Sequence, residues 1–339
     1  MDRLRKYIIS NLSSYFLSIF ISLFAIASVV FLVKIATYTA VIEVSVAELL
    51  KLFVFMLPEV LFYTLPVTFF IAATLALFKI SNDNEIIVLF SLGIKPSFLL
   101  KILFRPALLL TITLLFDFLV IFPHAKVLSA NMLTYKRSEA KFNLAASEFG
   151  NSFGDWLLYL GKDNKDGSYS KVFLFNKKAS KEILIEAKKA KILNHAGLLK
   201  LQLLEGEGYT YSKTDLSQIN FKSMIINDTF KTDLDTYRKP LDYWRSPERA
   251  KAKKKMLIRN TLLSFFPILS LFMVAAIGIV QVRYQKSKVY LYMFLSILVY
   301  YASSLSLHSK LGYYAVPTVM VFWSVVTYFI YRKTIAKRY

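Results

Sequence analysis

The sequence predicts a membrane α-helical protein with six transmembrane helices, three before and three after an inserted extracytoplasmic all-β domain of jelly-roll type. Three observations predict it. The chain is 56% hydrophobic and only 19% charged, too apolar for an ordinary soluble domain of this length. Apolar runs of spanning length cluster at both ends. Between them, residues 123–255 hold no such run, and charges of both signs recur every few residues.

A hydrocarbon core of roughly 30 Å takes about 20 helical residues to cross. Ser14–Val33 is the first such run, preceded by Arg3, Arg5 and Lys6. It is too long, and its far end too bulky, for a cleavable signal peptide. The second run, Leu49–Phe78, exceeds one span and contains Pro58, Glu59 and Pro66, so its outer end is expected to project beyond the bilayer. Phe98–Phe122 is the third, ending at Pro123. Met256–Val280, Val289–Leu307 and Tyr313–Tyr331 complete the set. The expected divisions are 1–122, with a short cytoplasmic helix at about 82–95, then 123–255 for the β domain and 256–339 for the last three helices and tail.

Orientation follows from lysine and arginine in the short loops, which are retained in the cytoplasm. The N-terminal head, the Lys79–Lys101 connection, the Arg283–Lys288 loop and the tail with Arg332, Lys333, Lys337 and Arg338 are basic and fall on one side if six helices alternate. The opposite segment Ile35–Glu48 has no lysine or arginine. Both termini are therefore expected in the cytoplasm and the β domain outside, since long loops translocate largely regardless of charge.

Within the middle segment, Trp156–Leu160, Val172–Phe175, Glu182–Glu186, Leu198–Leu204 and Tyr209–Tyr211 are rich in aromatic and aliphatic residues. They are bounded by Gly161, Asp166-Gly167, Asn194–Gly197 and Gly206–Gly208. These are strand and hairpin signals, and a sandwich or jelly roll is the natural reading. Trp156, Tyr159, Phe173 and Phe175 alternate with other apolar residues, so both faces of some strands are apolar. That fits a packed core or a lined groove.

Several functions are excluded. A nucleic-acid binder would concentrate its net charge of +21 on a soluble face, whereas here many basic residues flank apolar runs. The absence of cysteine removes disulfides and thiol chemistry. His124, His195 and His308 fall in three separate segments, so no shared metal site is expected. No Gly-rich phosphate loop with Lys-Ser/Thr occurs, so the chain is expected to be non-catalytic and not to hydrolyse ATP itself.

The run Asn82-Asp83-Asn84-Glu85-Ile86-Ile87-Val88-Leu89-Phe90-Ser91-Leu92-Gly93-Ile94 is the most specific motif. With Leu57-Pro58-Glu59, Leu65-Pro66, Pro123, Lys310–Gly312 and Pro317, it resembles the lipopolysaccharide-export permease family, the paired LptF and LptG type, leaning toward LptF. The likeness covers essentially the whole chain. It implies a permease subunit of an ABC transporter in the bacterial inner membrane. Such a subunit extracts lipopolysaccharide from the outer leaflet and passes it through a periplasmic β domain to a bridge leading toward the outer membrane. The implied partners are a second homologous permease, a cytoplasmic ATPase dimer that binds the ATP and Mg, and a single-span periplasmic bridge protein; no cofactor of the chain's own is implied. The competing class is a membrane scaffold or signalling protein whose β domain binds a partner without transport. An ion-coupled secondary transporter would show more spans and repeated broken helices.

Individual residues follow. The resemblance makes the Glu85 segment an ATPase-coupling element. Asp83 and Asn84 would cap a short amphipathic helix that Glu85 begins, with Ile86, Leu89 and Phe90 plugging into a groove of the ATPase, and Gly93, eight residues after Glu85, belongs to the same motif. An ordinary capped interfacial helix is the plain alternative. Lys34 ends the first span, where it either snorkels to headgroups or, as in the family, meets a lipid phosphate; Lys310 is a second candidate of that kind. Asp117 lies inside the third span, and an ionisable group there is a functional hypothesis, pairing with a basic neighbour or a headgroup. Phe173 and Phe175 are the candidate lipid contacts of the β domain.

Overall fold

The computed structural model of the protein describes residues 2–39, 44–143, 151–153, 156–161, 163–164, 168–178, 181–195, 198–212, 215–227, 240–247, 250–280 and 288–336. The chain divides into two compact units. One comprises Met1–Lys34, Phe53–Lys126 and Tyr237–Tyr339; the other, Ile35–Leu52 and Val127–Thr236.

The helical elements are α1 (Asp2–Thr39), α2 (Val46–Asn82), α3 (Glu85–Ser91), α4 (Pro96–Phe116), a π-helical turn (Asp117–Ile121) and α5 (Phe122–Asn143). After the strands come α6 (Pro240–Arg245), α7 (Ala250–Leu269), α8 (Leu271–Gly278), α9 (Val289–Leu311) and α10 (Ala315–Tyr331). Among the described residues, five helical segments are long and apolar enough to cross a membrane: Asp2–Thr37, Val46–Asn82, Pro96–Thr134, Val289–Ser306 and Gly312–Ala336. The pair α7 and α8, bent by 45°, makes a sixth if counted as one span. The bend falls at Ser270, three residues after Pro267, whose ring removes a ladder donor. Trp323 Nε1 donates to Ser270 Oγ at 3.1 Å and holds the bend from α10.

Apolar solvent leaves no partner for a free backbone group, so helices close their own hydrogen bonds and pack through small or aromatic residues. Phe70, Phe266, Tyr300 and Trp323 pack in sequence, tilted or edge to face, with ring centroids 5.3, 4.7 and 5.1 Å apart. Tyr300 also donates to the Leu262 carbonyl at 2.6 Å, tying α9 to α7. Ala72, Ala73 and Ala76 of α2 are fully buried. Gly278 takes α8 so close to α2 that a Cβ there would lie 2.8 Å from Leu77 Cβ and from the Thr74 carbonyl oxygen.

The third helical run does not stop at Pro123. Helix resumes at Phe122 after the π turn and continues to Asn143, and the first strand among the described residues begins at Asn151. Pro123 sits in the first turn of α5, where a missing N–H is tolerated, so the residue read as a terminator is a restart.

The β unit carries β1 (Asn151–Phe153), β2 (Trp156–Leu160), β3 (Asp163–Asn164), β4 (Ser168–Lys178), β5 (Lys181–His195), β6 (Leu198–Ser212) and β7 (Leu216–Asn227). They form one antiparallel sheet in the order β1-β2-β4-β5-β6-β7, with β3 pairing β4. A jelly roll needs strands that cross between two sheets. Here the described strands form a meander instead: β4 ends at Lys178 and β5 begins at Lys181, a gap that permits only a hairpin. The stretch Gly206–Gly208, expected as a turn, lies inside β6. A Cβ on Gly206 would meet the Glu186 carbonyl oxygen at 2.2 Å and the Phe221 ring at 2.5 Å, so close packing is what requires glycine there.

A crease crosses the sheet. Lys171, Lys188, Glu205 and Lys222 form one row in which the pairing lapses between β4, β5, β6 and β7, while the register on both sides is unchanged. Lys171 and Glu205 have φ of 54° and 50°. The side-chain alternation shifts by one at this row. Tyr169 is buried before it and Val172 and Leu174 after it; Ile185 and Ala187 are buried before it and Ala190 after it. One apolar face, which also includes Leu158, Leu160, Leu201, Leu203 and Ile226, thus stays continuous across the bend.

Candidate functional site

The segment between α2 and α4 is built from two left-handed residues around a seven-residue helix. Asp83 N donates to the Lys79 carbonyl at 2.9 Å, finishing α2, and Asn84 then adopts φ 58°, a conformation that asparagine tolerates better than most residues. Glu85–Ser91 form α3. Gly93, at φ 80°, closes it with Gly93 N donating to the Phe90 carbonyl at 3.0 Å and Ile94 N to the Leu89 carbonyl at 3.1 Å. Lys95 is extended and Pro96 opens α4, the position at which proline suits a helix.

Two expectations for this segment are corrected. Asn84 is the N-cap, but no side chain caps the helix, because a capping side chain needs an extended backbone rather than a left-handed one; Asp83 is exposed. Ile86, Leu89 and Phe90 do not face outward. Ile86 is fully buried, and Leu89 and Phe90 pack against the protein's own helical core. Seven residues cannot hold a helix alone, so one apolar face is used as its anchor. The exposed apolar residues are Ile87 at 41%, Val88 at 58% and Leu92 at 73%.

The corner is fixed at three points that the sequence did not indicate. Tyr7 Oη of α1 donates to Glu85 Oε1 at 3.0 Å. Lys79 Nζ donates to Asn11 Oδ1 at 3.3 Å, one helical turn further along α1. Ser81, buried at the end of α2, donates to the Gly278 carbonyl at 2.9 Å and accepts from Val280 N at 3.4 Å. None of these could be found from sequence, since the partners lie far apart in the chain and no local pattern marks them. Asp83, Glu85, Ile86, Leu89, Phe90 and Gly93 thus come together in one corner, which presents outward an acidic helix start beside the apolar patch of Ile87, Val88 and Leu92.

The remaining candidates are dispersed. Lys34 lies on α1 with Nζ 5.5 Å from the Phe31 ring centroid. Asp117 opens the π turn, a form often found at functional positions. Its Oδ2 is buried and has no hydrogen-bond partner among the described residues. Beside it, Phe118 packs between Phe62 and Trp244 at 6.0 and 5.8 Å, and Trp244 Nε1 donates to the Leu119 carbonyl at 3.1 Å. Lys310 is in the last turn of α9; its side chain lies outside the described residues, as do the basic loop residues 283–287 and tail residues 337–339. Phe173 and Phe175 share the face of β4 opposite the buried cluster and are half-buried, with the Tyr159 ring 6.0 Å from that of Phe173. Of the four aromatics that alternate in the sequence, Trp156 packs against the core. Among the described residues no three histidine, aspartate or glutamate side chains gather as a metal site would require.

No curated protein matches the sequence. The family model described as "Lipopolysaccharide export system permease LptF/LptG" matches residues 6–331, nearly the whole chain, and so takes in the helices, the inserted sheet and the α3 corner together. The chain belongs to the lipopolysaccharide export system permease LptF/LptG family.

Proposed function

We propose that this permease is the membrane subunit of an ATP-driven exporter that lifts lipopolysaccharide out of the outer leaflet of a bacterial inner membrane. The lipid then passes along the β sheet, on the periplasmic side, to a single-span bridge protein. A second permease of the family completes the lipid cavity, both termini are cytoplasmic, and a cytoplasmic ATPase dimer binds ATP and Mg and docks on α3. The permease itself is non-catalytic. Moving several acyl chains out of a bilayer costs about 0.8 kcal/mol per CH₂, so energy must arrive from outside the chain.

The observation that carries this reading is the α3 corner. A short helix anchored by Ile86 and tied to α1 through Tyr7 and Glu85, after an α2 end that contacts the Gly278 carbonyl through Ser81, leaves Ile87, Val88 and Leu92 exposed beside Glu85. That is the form of a lever: rigidly joined to the helices behind it and apolar toward a partner. Glu85 sits in its first turn, where the helix dipole favours a carboxylate and an arginine of the ATPase can meet it.

Reversing that charge tests the reading. Losing one partner of a desolvated ion pair costs about 2 to 5 kcal/mol. Glu85→Lys should insert normally, lose most of the co-purified ATPase and abolish export. Wild-type export by Glu85→Lys with the ATPase still bound would remove α3 from the mechanism.

A further inference from the structure

A basic cleft of about 300 Å³ opens at the start of α7, away from α3, lined by Trp244, Arg245, Lys251, Lys253, Lys254 and Tyr313 among others. Four of the lining residues are cationic, and no acidic side chain lines the cleft among the described residues. Its walls are built rather than incidental. Lys253 is only 7% exposed, its ammonium bonded to Ser246 Oγ and 4.4 Å from the Tyr243 ring centroid. Trp244 is fixed by its indole bond to the Leu119 carbonyl. Lys254 reaches across to α10's approach, with Nζ 4.1 Å from the Tyr313 ring centroid, while Lys251 and Lys254 stay exposed at the mouth.

The level of the cleft identifies its ligand. Lys251, Lys253 and Lys254 directly precede the apolar run Met256–Val280, and Tyr313 begins the run Tyr313–Tyr331. The cleft therefore lies where two membrane-crossing segments leave the hydrocarbon, which is the depth of lipid headgroups and of interfacial tryptophan and tyrosine. Cations at headgroup depth attract an anionic phosphate, and favour one carrying no amine of its own to meet them as like charge. About 300 Å³ is the lower end of ligand-pocket size, the scale of one phosphate and its glycerol.

We infer that this cleft holds the headgroup phosphate of an anionic phospholipid that stays with the protein as a resident lipid and is distinct from the exported cargo. The inference does not depend on the export reading.

The test is native mass spectrometry of the full chain in detergent, titrated separately with phosphatidylglycerol, phosphatidylcholine, lipopolysaccharide and inorganic phosphate. Phosphatidylglycerol should bind in preference to phosphatidylcholine. The exposed pair Lys251→Gln/Lys254→Gln should weaken it about thirtyfold, taking each interfacial cation at about 1 kcal/mol. Lys251→Arg/Lys254→Arg should restore binding, and the equal charge loss Lys189→Gln/Lys191→Gln in β5 should leave it unchanged. Equal binding of the two lipids, wild-type binding by the glutamine pair, or an equal loss in the β5 control would overturn the assignment. So would inorganic phosphate binding that lipid does not displace, or loss of added lipopolysaccharide but not phosphatidylglycerol in the glutamine pair.

Discussion

A methyl group on Gly278 would stand 2.8 Å from Leu77 Cβ and from the Thr74 carbonyl, atoms of the α2 backbone and its first side-chain carbon that cannot swing away. Gly278→Ala is therefore expected to push α8 from α2 and destabilise the helical unit by about 1–3 kcal/mol, the usual cost of overpacking. It should also lengthen the Ser81–Gly278 bond that braces α3. A thermal unfolding scan in detergent checks this; an unchanged midpoint would mean that α8 can slide without cost. Gly93 gives the contrast, because nothing lies within 4 Å of a Cβ placed there and only its φ of 80° requires glycine. Its place in the motif, eight residues after Glu85, was legible in the sequence, though not the turn it makes. That of Gly278 was not, since a close approach between α2 and α8 leaves no mark in either segment alone.

At the scale of elements, spanning length and hydropathy made most membrane helices visible, whereas the continuation of α5 through Pro123 was hidden by its polar composition. The crease explains why the β unit was read less completely. Alternation is the signal for a strand, and in β7 it is interrupted at Lys222, with Phe221 on the core side before it and Met224 and Ile226 after it. A strand whose apolar residues change parity reads as no strand. In α3 the apolar residues were visible, but which of them faced inward was not, because seven residues with apolar positions on every side fit either orientation. The faces give a paired prediction. Val88→Asp, on the exposed face, should leave folding intact and reduce ATPase co-purification at least tenfold, by placing an uncompensated charge in a desolvated contact. Ile86→Ala, in the buried face, should instead lower the unfolding midpoint by removing core packing, at a cost of about 2–5 kcal/mol. The reverse pattern, with Val88→Asp unfolding the protein and Ile86→Ala releasing a stable permease from the ATPase, would invert the assignment of faces.

For the whole molecule, family membership unites a helical unit with an inserted sheet that has aromatic side chains on the face away from its core. Phe173, Phe175 and Tyr159 on that open face would shield acyl chains outside the bilayer, and half-buried side chains there can be replaced without disturbing the buried cluster. In the proposed function, energy supplied at α3 and lipid received at β4 would be the two ends of one process, so the account stands or falls on their coupling. The measurement is photo-crosslinking from a photoreactive residue at position 173, in the permease pair assembled with its ATPase and reconstituted with lipopolysaccharide. The account predicts a lipopolysaccharide adduct that forms with ATP, is absent without it, and is lost in Glu85→Lys; an adduct of equal yield with and without ATP would contradict it.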